Sequence, residues 1–115
     1  MPSQCLGLWA SSISGRRESD IDVQHEDATS GRITGKHVDS DQDIEGVCLS
    51  GAHINFKRTD SDGCTYHYVG ELREVDLPPL PRLAAWGKVI KTCPPSVDKE
   101  GILASNEDWV AEKQT

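Results

Sequence analysis

The stretch Ile44–Leu72 confines this chain to a sheet. It carries three strand-like runs separated by two glycine-containing turns, Ser50-Gly51 and Asp60–Gly63. Glycine relieves the positive-φ requirement of a tight hairpin turn. A two-residue turn at Ser50-Gly51 pairs Leu49 with Ala52 and Val47 with Ile54, so apolar meets apolar across the ladder. The second hairpin needs an odd loop to hold Ile54 and Phe56 on the face of Tyr66, Tyr68 and Leu72. Ser61-Asp62-Gly63, with Gly63 left-handed, supplies one. The expected inward set is Val47, Leu49, Ala52, Ile54, Phe56, Tyr66, Tyr68 and Leu72. The expected outward set is Cys48, His53, Asn55, Lys57, Thr65, His67 and Glu71. One apolar and one polar face suit an antiparallel sheet wetted on one side.

The flanking sequence repeats the pattern. Leu6–Ile13 reads as a strand with Trp9, Ser11 and Ile13 on one face, and Ser14–Arg17 as its turn. Ser19–His25 alternates cleanly, with Ile21, Val23 and His25 on one side. Gly31–Val38 places Ile33, Gly35 and His37 inward, and Asp39–Asp43 forms an acidic loop. Leu77–Pro81 holds three prolines, which cannot sit inside a central strand, so it reads as a stiff connector. Leu83–Thr92 is a strand centred on Trp86, Val97–Glu107 is loop-like, and Asp108–Lys113 is the last strand. No segment keeps a helical period. Eight short strands joined mostly by tight turns predict an all-β, eight-stranded antiparallel up-and-down barrel, since closure removes aggregation-prone edges. The 115 residues make one domain the expectation, 1–115.

Charge and cysteine usage narrow the function classes. A formal net charge of −7 argues against nucleic acid and anionic membrane as partners. No apolar run is long enough to span a bilayer. Met1–Cys5 shows no charged region leading into an apolar core, so a cytoplasmic protein is expected. The four cysteines, Cys5, Cys48, Cys64 and Cys93, are then expected as reduced thiols, and none forms a C-x-x-C pair. No metal site and no cofactor is expected. Cys48, His53 and His67 offer only a chance surface cluster. Asp39–Asp43 lacks the glycine and closing glutamate of a calcium loop.

Three short motifs resemble the calycin barrels, the avidins and lipocalins. Gly7-Leu8-Trp9 resembles their first-strand G-x-W. Gly31–His37 is similar to the avidin third strand, with His37 where that pattern has tyrosine. Asp108–Lys113 resembles the closing Trp-x-Ala-x-basic pattern. The resemblance implies a barrel floor plugged by Trp9, with Lys113 over its indole, and an open end that takes a small molecule. Biotin binding is not implied, because the polar set after Trp9 is reduced to Ser11, Ser12 and Ser14.

The expected polar groups of the lumen are Ser11, His25, His37, Tyr66, Tyr68 and the Trp86 indole. The expected ligand site is Ser11, His37, Phe56, Tyr66, Tyr68 and Trp86, and it takes a small neutral, partly apolar molecule without catalysis. The competing expectation is a filled core, as eight-stranded barrels allow, with a structural or interaction module that forms homo-oligomers through its exterior. An enzyme using His37 as base would need a second titratable group within reach.

Overall fold

The computed structural model describes residues 5–49, 53–75, 82–94 and 103–114. Eight strands run β1 (Gly7–Ile13), β2 (Arg16–Glu26), β3 (Arg32–His37), β4 (Gln42–Leu49), β5 (His53–Thr59), β6 (Thr65–Val75), β7 (Arg82–Cys93) and β8 (Leu103–Gln114). Each pairs antiparallel with its sequence neighbour, and β1 closes on β8 to complete the barrel. The predicted fold class is therefore the observed one. No helix among the described residues is long and apolar enough to cross a membrane.

Turn chemistry sets the registers. Ser14 and Gly15, both at positive φ, form a two-residue turn between Ile13 and Arg16. β2 thus starts at Arg16, earlier than the sequence pattern indicates. At the β5–β6 hairpin Asp60 N–H donates to the Cys64 carbonyl, enclosing Ser61-Asp62-Gly63, and Gly63 has φ 87°. That is the predicted three-residue loop, and Tyr66, Tyr68 and Leu72 keep the face of Ile54 and Phe56.

The β4–β5 register differs from expectation by one residue. Cys48 faces Ile54 and Leu49 faces His53. Cys48 is buried and Leu49 is exposed, so the inward residues of β4 are Ile44, Gly46 and Cys48 rather than Val47 and Leu49. A one-residue slip moves every side chain to the other face. Inward Cys48 can then reach Cys5, which outweighs the apolar match of Leu49. The turn 50–52 itself lies outside the described residues, as do Ala52 and the proline connector 76–81. β8 begins at Leu103, where a loop to Glu107 was expected, because its ladder with β7 runs back to the Cys93–Leu103 pair.

Two bulges in β2 break its alternation. Ser11 faces Ser19 but Ser12 faces Arg17, which leaves Glu18 as an extra residue. Val23 faces Gly35 but His25 faces Thr34, which leaves Gln24 extra. A bulge redirects the side chains around it. The first turns Glu18 inward beside Ser19. The second reverses the phase, so His25 is exposed and Glu26 is half-buried. His25 is thus removed from the expected lumenal set.

All four cysteines are paired, Cys5 with Cys48 and Cys64 with Cys93. This corrects the expectation of reduced thiols and removes Cys48 from any surface cluster with His53 and His67. Cys5 precedes β1 and reaches β4, three strands round, across one end of the barrel. The Trp9 indole N–H donates to the Cys5 carbonyl at 2.9 Å, and Trp9 is 2% exposed, so this end is plugged. Cys64–Cys93 joins the other end. Replacing Cys64 and Cys93 together by serine is expected to lower stability by about 2–4 kcal/mol, since the bond restricts the unfolded chain. Urea unfolding of the oxidised variant checks this, and an unchanged midpoint would contradict it.

Candidate functional site

The interior is packed with side chains. Trp9, Ile21, Ile33, Ile44, Ile54, Phe56, Tyr68 and Trp109 are buried in one cluster. Phe56 and Tyr68 stack with centroids 4.5 Å apart and ring planes 15° from parallel. Trp109 stands edge-on to both, at 5.7 and 5.5 Å. Gly70 makes room for it, because a Cβ there would lie 2.8 Å from Trp109 Cζ3.

Above these rings, toward the end carrying the β1–β2, β3–β4 and β5–β6 turns, charged groups enter the barrel. The bulged Glu18 is their centre. Tyr68 O–H donates to Glu18 Oε2 at 2.8 Å, and Ser11 O–H donates to Oε1 at 3.3 Å. Arg58 Nη2 lies 4.0 Å from Oε2 and His37 Nε2 3.4 Å from Oε1. Arg58 Nε donates to the Tyr68 hydroxyl at 3.0 Å, and Nη1 donates to Gln42 Oε1 at 2.8 Å. The Arg58 guanidinium also lies 3.8 Å from the Tyr66 ring centroid. Tyr66 O–H donates to Asp60 Oδ2 at 3.3 Å. The Trp109 indole N–H donates to Ser11 Oγ at 2.8 Å and ties the aromatic layer to the charged one.

Burial alone would raise the Glu18 carboxyl above its ordinary 4.5. The His37 and Tyr68 contacts, with the charges of His37 and Arg58, overcome that and hold it below. Burial also drives the Tyr68 phenol well above its ordinary range, the Glu18 charge adds to this, and Arg58 opposes it. Glu18 is therefore a carboxylate at neutral pH and Tyr68 a neutral hydroxyl.

His37 is the point of tension. Its Nδ1 lies 2.7 Å from Ser40 Oγ in the β3–β4 turn. Its buried Nε2 faces Glu18 but has no aligned hydrogen-bond partner. Ser40, His37 and Glu18 thus stand in the order of a hydroxyl–imidazole–carboxylate triad. The carboxylate leg is out of line, and Glu18 is already engaged by Tyr68 and Arg58. Ser40 follows His37 by three residues and also donates to its carbonyl at 3.4 Å, which is a local turn contact.

Of the residues expected at a lumenal site, Ser11, His37, Phe56, Tyr66 and Tyr68 converge here. Trp86 does not. It pairs across the ladders with Glu71 and Val110 on the outer face, under the Arg73 guanidinium at 5.1 Å. Ala85, fully buried, takes the inward position on β7 instead. The sequence reading passed over Glu18, Arg58 and Trp109. Arg58 was accessible, since it continues the inward alternation of Ile54 and Phe56. Comparison with family models, with curated proteins and with solved structures found no match to this chain.

Proposed function

We propose that this barrel binds a small neutral molecule without catalysis, at the end that carries Glu18, His37, Arg58 and Tyr68. The supporting observation is that the β2 bulge puts a carboxylate inside the barrel, against Tyr68, His37 and Arg58. A buried charged cluster is no more stabilising than a well-packed apolar one, so stability alone gives little reason for it. Charge within it is nearly balanced by Glu18 against Arg58, which favours a neutral ligand over an ion. The half-buried Tyr66 and Gln42 form the rim that such a ligand would meet first. The packed interior favours this end over a deep lumen for such a ligand. Proton transfer is disfavoured, because Glu18 and Tyr68 are both held away from neutral titration and both His37 ring nitrogens face protein groups.

The likeness to calycin barrels belongs to this reading. Its support is Trp9 buried at the plugged end, with Lys113 as its cross-strand neighbour. The closed disulfides favour an oxidising compartment over the cytoplasmic one expected from the sequence.

A second reading has its own support. Trp86 points outward next to Val110, 51% exposed, and one row from Val69, 47% exposed. A second copy of the chain is the proposed occupant of that face. Native mass spectrometry on protein taken directly from cells separates the two readings. A small molecule released at about one per chain supports mouth binding, and an apo dimer or tetramer moves the function to the outer face. Phenol provides a direct probe of the first reading by calorimetry. Tyr66→Ala is expected to weaken its binding roughly five- to tenfold through loss of one aromatic contact. No heat beyond dilution with native protein would count against the mouth.

A further inference from the structure

The second bulge of β2 builds a different cluster at the opposite, plugged end. Glu26 Oε1 accepts the backbone N–H of Cys5 at 3.0 Å and of Leu6 at 3.2 Å. A carboxylate oxygen of Glu26 and the sulfurs of Cys5 and Cys48 all lie within 4.8 Å of one another. We infer that reduction of Cys5–Cys48 converts this end of the barrel into a zinc site with two thiolates and one carboxylate as ligands.

The geometry favours exchange of one staple for the other. Tetrahedral zinc with bonds of about 2.3 Å to sulfur needs its two sulfurs roughly 3.8 Å apart. Two reduced sulfurs cannot stay at bonding distance and separate to about that spacing by contact repulsion alone. The Cys5 and Cys48 Cα atoms are 6.4 Å apart, so modest side-chain rotation achieves this without moving the strands. Among the described residues, the backbone N–H groups of Cys5 and Leu6 both donate to Glu26 Oε1, which holds the carboxylate beside the two sulfurs. Two thiolates select zinc over magnesium or calcium, and water would complete the fourth position.

The chemistry balances with a dithiol as reductant. The dithiol gives two electrons and two protons to the Cys5–Cys48 bond and leaves as a cyclic disulfide. Zinc then displaces the two thiol protons to solution. In an oxidising setting the disulfide holds Cys5 to β4, and in a reducing one the metal does.

The test uses the intact chain, oxidised or reduced with dithiothreitol that is then removed by anaerobic gel filtration, adds zinc sulfate, and reads alkylation of each cysteine by peptide mapping. The expected result is that zinc shields Cys5 and Cys48 in reduced protein and leaves Cys64 and Cys93 reactive. Cobalt in place of zinc is expected to give thiolate charge-transfer absorption at one equivalent, in the reduced form only. Glu26→Gln is expected to weaken the metal by at least roughly tenfold. Equal shielding of all four cysteines, or none, would overturn the site. So would an unchanged affinity in Glu26→Gln. If that variant fails to fold, the alkylation pattern of the native chain decides alone.

Discussion

Trp109→Ala is expected to destabilise the barrel by about 3–5 kcal/mol, the range for removing a large buried aromatic. Three losses combine. The indole is 1% exposed, so its removal leaves a void in a packed layer. It stands edge-on to Phe56 and Tyr68, and such pairs contribute about 0.5–1.5 kcal/mol beyond burial. Its N–H also holds Ser11 Oγ, which in turn donates to Glu18. Collapse into the void is hindered by the ladders on both sides of β8. Trp109→Phe should recover the packing but not the hydrogen bond, and should fall between the two. Chemical unfolding monitored by circular dichroism distinguishes these cases. A loss under 1 kcal/mol for the alanine variant would mean that the aromatic layer is not the central support of the fold.

The second large effect concerns Glu18. Glu18→Ala strips the carboxylate from between Arg58 and His37, whose side chains are 9% and 6% exposed. Breaking a buried ion pair from one side costs about 3–5 kcal/mol, because the remaining charge stays desolvated. Glu18→Gln keeps the shape and an acceptor for Tyr68, so its cost should be nearer 2 kcal/mol. The pH dependence follows from the lowered carboxyl. A group with a depressed folded value binds its proton less readily when folded than when unfolded. Its contribution is therefore fully present above the ordinary glutamate value of 4.5 and is lost as pH falls toward the lowered one. Native protein should lose stability across that acidic window, and Glu18→Gln should lose less. Identical acid profiles for the two proteins would show that Glu18 is not ion-paired in solution.

Much of the fold was legible because alternation and turn residues agree along most of the chain. Gly63 fixed its hairpin, and the inward positions of Trp9, Ser11, Ile33, His37, Phe56 and Tyr68 follow from simple period-two reading. What failed has one physical origin. Alternation is a local rule, whereas bulges and disulfides are set by partners distant in sequence. Leu49 looks inward until Cys48 must reach Cys5, and His25 looks inward until the Gln24 bulge reverses the phase. Glu18 was invisible for the same reason, since nothing local to it signals that Ser11 and Ser12 face residues two apart. Trp86, a large aromatic at the centre of an expected core strand, looks inward until its ladder partners Glu71 and Val110 place it on the outer face. Half of the candidate site was thus readable, namely the aromatic floor and His37. Arg58 was readable from the same alternation, and Glu18, around which the charged groups gather, was not.

The two disulfides also govern how the closed sheet can loosen. Cys5–Cys48 spans β1 to β4 and Cys64–Cys93 ties the β5–β6 turn to the end of β7. Neither crosses the ladder between β1 and β8, where the first and last strands meet. That seam joins residues about a hundred positions apart, Ser11 with Ala111 for example, whereas every other ladder joins strands adjacent in sequence. Side-chain links across the seam among the described residues include the Trp109–Ser11 and Ser14–Glu107 hydrogen bonds. The barrel is therefore a ribbon stapled along its length and joined edge to edge without a covalent tie. An unzipping of β8 from β1 breaks no covalent bond, and it would expose Trp109 and free the Glu18 cluster together.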